Sequence, residues 1–112
     1  MHICKAGEGK PYQAPAHYGQ WGSQYFKGEG TSKLTVSISH FLPNGGADMM
    51  VVPELTELIY YVLSGSIVIQ DKAGEHILNA GDLVHFGAGD ERAIKLNGQV
   101  PVSLLVVIAA LT

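Results

Sequence analysis

The chain has a single cysteine, Cys4, among 112 residues, so it can form no internal disulfide and assemble no cysteine-based zinc site by itself. Charge is also scarce. Only 15% of residues are charged, and the seven basic side chains form no cluster that could follow a phosphate backbone, which excludes nucleic acid as a natural partner. Long apolar runs are missing. The longest, Val102 to Leu111, is about half of the roughly 20 residues that a membrane-spanning helix needs, and it reads as a buried strand. The opening MHICKAGEGK lacks the apolar stretch of a secretory signal, so a cytoplasmic location is the expectation and a membrane role is not. Helical periodicity is absent over more than two turns, because Gly, Asn or Pro interrupts most windows.

What remains is strand signal. Lys33 to Leu42 alternates, with Leu34, Val36, Ile38, His40 and Leu42 on one face and Thr35, Ser37, Ser39 and Phe41 on the other. Pro43-Asn44-Gly45-Gly46 then reads as a turn. Short apolar or β-branched runs follow at Met49 to Val52, Leu58 to Leu63, Ser66 to Gln70, Glu75 to Leu78, Leu83 to Phe86, Glu91 to Leu96 and Val102 to Ala109, separated by Gly- and Asn-rich turns. Such spacing predicts an all-β antiparallel sandwich or barrel. Residues 1–30, with Tyr12, Tyr18, Trp21, Tyr25 and Phe26 among glycines, read as an irregular segment carrying one strand near Gln20 to Lys27. Residues 31–112 read as the barrel, in one domain overall.

Two pieces, IYYVLSG and NAGDLVHFGAG, have the glycine frame of a known family. Gly45 is followed after five residues by Val51, then by Pro53, Leu58 and Gly65; Gly81 is followed by Gly87, Gly89 and Arg92. In this frame the chain resembles the cupins over roughly Leu34 to Leu111. The resemblance implies an RmlC-like jelly-roll β-barrel, with Gly65, Gly81 and Gly89 at strand reversals where a positive φ is cheap without a Cβ. It also places Val51, Pro53, Leu58 and Arg92 where the family's metal ligands stand. None of these side chains offers a lone pair, and a three-residue spacer recovers only Glu54. No metal and no other cofactor is therefore expected.

Alternation turns Leu58, Tyr60 and Val62 into the barrel and Glu57, Ile59, Tyr61 and Leu63 outward. With Met49, Met50 and Val51 the inward side chains make an apolar pocket wall. Arg92 at its mouth needs an anion, either a small carboxylated ligand or an internal partner such as Glu54, Glu57 or Asp90. His40 and Tyr60 are candidate proton-transfer groups, whereas His2, His17 and His76 read as peripheral. The first expectation is a metal-free module binding a small anionic molecule through Arg92, Leu58, Tyr60, Val51, Met49 and Val62. The alternative is an enzyme resembling metal-independent sugar isomerases and epimerases, or a lyase, using His40 or Tyr60 with Arg92. A weaker resemblance, to ethanolamine-utilisation cupins without the His-x-His pair, implies an accessory role. Open sheet edges and the apolar outer face around Ile59, Tyr61 and Leu63 predict a homodimer.

Overall fold

A computed structural model describes residues 1–27 and 33–111. The described residues form strands β1 (Lys10–Tyr12), β2 (His17–Lys27), β3 (Leu34–Val51), β4 (Thr56–Ser64), β5 (Ser66–Asp71), β6 (Gly74–Asn79), β7 (Leu83–Phe86), β8 (Glu91–Leu96) and β9 (Val102–Ala110). No helix occurs among them, and so none is long and apolar enough to cross a membrane. Hydrogen-bonded neighbours run β6-β5-β8-β3-β9-β4-β7, with β2 added to the free edge of β3 and β1 to β2. The result is an antiparallel jelly roll, nearly closed as a barrel. The N-terminal segment therefore contributes two strands to the sheet, one more than its composition suggests, because β1 pairs Lys10 with Gln24 and Tyr12 with Gly22. The expected division between residues 30 and 31 lies outside the described residues.

Strand β3 joins the two halves. Its first part pairs with β9 from Leu34↔Ala109 to Phe41↔Val102, and its last part pairs with β8 from Gly46↔Lys95 to Val51↔Glu91. Pro43-Asn44-Gly45-Gly46 therefore bends the chain from one half of the sheet into the other instead of reversing it, with Asn44 at φ 72°. Strand β2 bends alongside, skipping register between Tyr18 and Gln20 at Gly19, whose φ is 57°. A Cβ on Gly45 would lie 2.5 Å from the Gly19 carbonyl oxygen, so the two backbones can approach this closely only without side chains. Gly65 is likewise a corner, since β4 and β5 follow one another in the chain but are not neighbours in the strand order; its φ is 81°.

Alternation fills the space between the sheets. Val52, Val62, Ile67, Val102 and Leu104 are almost wholly buried and, with Phe41, form the packed floor of the barrel. Each such side chain contributes about 1.5–3 kcal/mol by leaving water.

The alternation of β3 left open which of its faces looks inward, and it is the one carrying the serines. On the first half of β3, Ser37, Ser39 and Phe41 point inward and are at most 4% exposed, while Leu34 and Leu42 are about half exposed on the outside. The inward hydroxyls are tolerated because they are bonded: Tyr12 Oη lies 2.6 Å from Ser39 Oγ and donates to Ser37 Oγ at 3.1 Å, and Gln20 Nε2 donates to Ser39 Oγ at 3.2 Å. The apolar side chains Val36 and Ile38 lie on the outer face.

Candidate functional site

The barrel encloses a cavity of about 430 Å³ above this floor. Three kinds of wall meet there. Met50, Leu58, Ile94, Leu104, Val106 and Ile108 supply an aliphatic side from β3, β4, β8 and β9. Opposite, Tyr12, Gln24, Thr35, Ser37 and Ser39 supply hydroxyl and amide groups from β1, β2 and β3. Arg92, Tyr60 and His17 line it as well, with Phe41 and the stretch from Gln13 to Pro15.

Arg92 points inward because β8 alternates, with Arg92 and Ile94 buried at 7% and 2% exposure. Its Nη2 donates to Tyr60 Oη at 3.0 Å, and its guanidinium carbon lies 5.9 Å from the Tyr60 ring centre and 5.6 Å from that of Phe86. Among the described residues no carboxylate comes within 4.0 Å of it, so Glu54, Glu57 and Asp90 are not its partners. Asp90 is instead engaged by the Gly87 amide at 2.8 Å. The Arg92 Nε hydrogen is buried with no acceptor, and it is the one such side-chain atom among the described residues. A guanidinium held by a single neutral acceptor and two aromatic faces presents an unmet positive charge to the cavity.

His17 belongs to the same cavity. Its Nδ1 is 2.7 Å from the Pro15 carbonyl oxygen, so Nδ1 carries the hydrogen that is donated and Nε2 holds the lone pair of the neutral ring. The ring stacks on Phe41 at 5.8 Å. Burial and then the Arg92 charge hold its pKa below the usual histidine value, against the raising effects of the Pro15 bond and Asp48. Although the sequence reading set His17 aside as peripheral, the register skip at Gly19 brings it onto the same face as Gln20.

Of the other residues singled out from sequence, Leu58 and Tyr60 line the cavity with Arg92. Val62 is fully buried in the floor and does not line it. Met49 and Val51 are half exposed outside, and their places are taken by Met50 in the wall and Val52 in the floor. The cause is the irregular register between Ala47 and Met50, which changes which residue parity faces inward. His40 is on the outer face, its Nδ1 2.7 Å from Ser103 Oγ and its ring stacked on Trp21 at 4.2 Å. His40 and Tyr60 therefore do not share a pocket.

A divalent cation does not fit these residues. The wall around Arg92 offers thioether, aliphatic and guanidinium groups, and among the described residues no three His, Cys, Asp or Glu side chains are grouped to hold a metal ion. A second cleft, also about 430 Å³, lies against β5, β6 and β7 and reaches Ile69, Leu78 and Phe86 of the core. Its charges are already matched, His76 with Asp71 at 3.1 Å and Lys72 with Glu91 at 3.4 Å. Volume does not separate the two, but the unmet charge of Arg92 does.

Residues 41–108 match the family model of the cupin domain. Among solved structures, a predicted oxalate decarboxylase from Thermotoga maritima superposes with a TM-score of 0.84 at 21% identity, covering 98% of this chain and 100% of that one. The polyketide cyclase RemF from Streptomyces resistomycificus gives 0.82 at 16% identity, covering 98% and 80%. A cupin-superfamily sugar phosphate isomerase from Silicibacter pomeroyi gives 0.70 at 24% identity, covering 81% and 59%. No curated protein sequence matches the chain. At these identities the likeness is one of fold.

Proposed function

The chain belongs to the cupin-domain family, and within that family we propose that it works without a metal and binds a small carboxylate in the barrel, anchored on Arg92. The observation that carries this reading is the buried Arg92 Nε without an acceptor among the described residues, beside an Nη2 whose only partner among them is a neutral hydroxyl. A carboxylate placed against the guanidinium edge accepts two parallel hydrogen bonds and neutralises the charge. The aliphatic wall of Met50, Leu58 and Ile108 receives the ligand's hydrocarbon part, and the Tyr12 and Ser37 side is placed for further polar groups.

Thermal-shift screening and calorimetry with short mono- and dicarboxylates test this. Wild type is expected to bind at least one of them, and Arg92→Met is expected to lose that binding; unchanged affinity in the variant removes Arg92 from the site. We further propose that two copies pair through the outer face of β2, β3, β4 and β9, where Trp21, Tyr61 and Leu63 are 52%, 37% and 44% exposed beside Val36 and Ile38. A monomeric mass by light scattering at micromolar concentration refutes the pairing. The lone thiol of Cys4 suits a reducing cytoplasm.

A further inference from the structure

We infer that the Arg92 cavity moves a proton, with His17 as its base and a 2-oxo acid, a carboxylate beside an enolisable ketone, as its class of substrate. This rests on the carboxylate reading above and adds a reaction to it.

Three groups of different character face one space. Arg92 is the cation that fixes a carboxylate. Tyr60 Oη accepts a hydrogen bond from Arg92 Nη2 at 3.0 Å, so its own hydrogen remains to be donated. A hydroxyl so placed is a donor for an oxyanion that develops next to the bound carboxylate. His17 is the acceptor: its Nδ1 hydrogen is committed to Pro15, and its Nε2 makes no hydrogen bond among the described residues. The depressed pKa keeps the ring neutral, and able to accept, at neutral pH. The titratable and charged groups around the ring are Arg92 from β8, Asp48 from β3, Tyr12 from β1 and Tyr60 from β4. Arg92 opposes protonation of His17 until an anion offsets its charge, so substrate binding itself raises the basicity of the ring.

The step is balanced within the bound acid. The C3–H bond breaks and its proton goes to His17 Nε2. The electron pair forms the C2–C3 double bond, and the former carbonyl pair becomes an enolate oxygen held by the Tyr60 hydroxyl. Return of the proton to C3 restores the acid, with no oxidant, reductant or second reactant. In D2O the imidazolium exchanges with solvent and returns a deuteron, which makes the step visible without knowledge of the final product.

The full chain is incubated with 2-oxobutyrate in D2O, and loss of the C3 methylene signal is followed by proton NMR, with calorimetric binding of 2-oxobutyrate and of butyrate measured in parallel. Wild type is expected to exchange the methylene about 100-fold or more above the buffer rate. The rate should rise with pH to a plateau on the acid side of an ordinary histidine. His17→Gln should keep 2-oxobutyrate binding and lose the exchange, and Arg92→Met should lose both. Binding of 2-oxobutyrate by wild type without exchange overturns the inference. So does undiminished exchange in His17→Gln, or a wild-type rate with no histidine-like pH dependence. Binding of butyrate but not 2-oxobutyrate overturns the substrate class alone, whereas binding of no carboxylate overturns the reading beneath it.

Discussion

Replacing Arg92 with methionine should make the protein more stable and less useful. The guanidinium is 7% exposed, has no carboxylate within 4.0 Å among the described residues, and receives only the Tyr60 oxygen and two ring faces in return. Exchanging a buried ionic group for an apolar one of similar length gains about 1–4 kcal/mol. Against this, the Tyr60 hydroxyl loses its donor, which costs about 1 kcal/mol. The expected net gain is about 0–3 kcal/mol, and its midpoint of about 1.5 kcal/mol is a rise in Tm of roughly 6 °C for a chain of this length. A carboxylate at about 100 times its Kd would add about 2.7 kcal/mol to wild type and nothing to the variant. Calorimetric melting should therefore rank free wild type lowest, Arg92→Met next and liganded wild type highest. A variant that melts below free wild type would mean that the charge is satisfied inside the protein, and the argument for an external anion would fail.

Tyr60→Phe removes the only protein acceptor of Arg92 among the described residues and should cost about 1.5–3 kcal/mol by urea unfolding; no loss would show that another acceptor takes over. Gly45→Ala forces a Cβ to 2.5 Å from the Gly19 oxygen and 2.9 Å from that of Leu42, both main chain, and should destabilise by about 1–3 kcal/mol or more. The control Gly87→Ala, whose nearest neighbours are 4.0 Å away, should stay within about 0.5 kcal/mol. Because the His17 pKa is lower in the folded protein than in the unfolded chain, its neutral form is favoured by folding. Its contribution is flat above the unfolded value near 6.5, becomes unfavourable as pH falls below it, and levels off below the folded pKa. Wild type should lose stability on acidification from pH 7.5 to 5 more steeply than His17→Gln, and parallel urea-derived curves would refute the assignment.

The strands, their antiparallel pairing and the family frame were legible because they depend on local signals: alternation, turn residues and glycine spacing. Arg92, Leu58 and Tyr60 were found in the same way, since β8 and the Leu58–Val62 part of β4 keep a period of two. The expectation broke down wherever a strand changed parity. Between Phe41 and Met50 the corner alters which residues face inward, and this displaced Met49 and Val51 in favour of Met50 and Val52. At Gly19 a second irregularity turned His17 toward the cavity. Alternation alone left open which face of β3 looks inward, and the inward placement of Ser37 and Ser39 depends on Tyr12 and Gln20, more than fifteen residues away. The available hint was the pairing of Gly19 with Gly45-Gly46, three flexible positions where two adjacent strands must bend together.

Half of the cavity's polar equipment comes from the leader that precedes β3. Tyr12, the Pro15 carbonyl that orients His17, and His17 itself all lie on this leader, whereas Arg92 and Tyr60 lie on the barrel. In the proposed reaction the proton acceptor and the carboxylate anchor thus come from separate stretches of polypeptide. The same stretch holds the inward hydroxyls of Ser37 and Ser39 and flanks β3 from Thr35 to Ala47, so one span of chain both completes the wall and furnishes the imidazole.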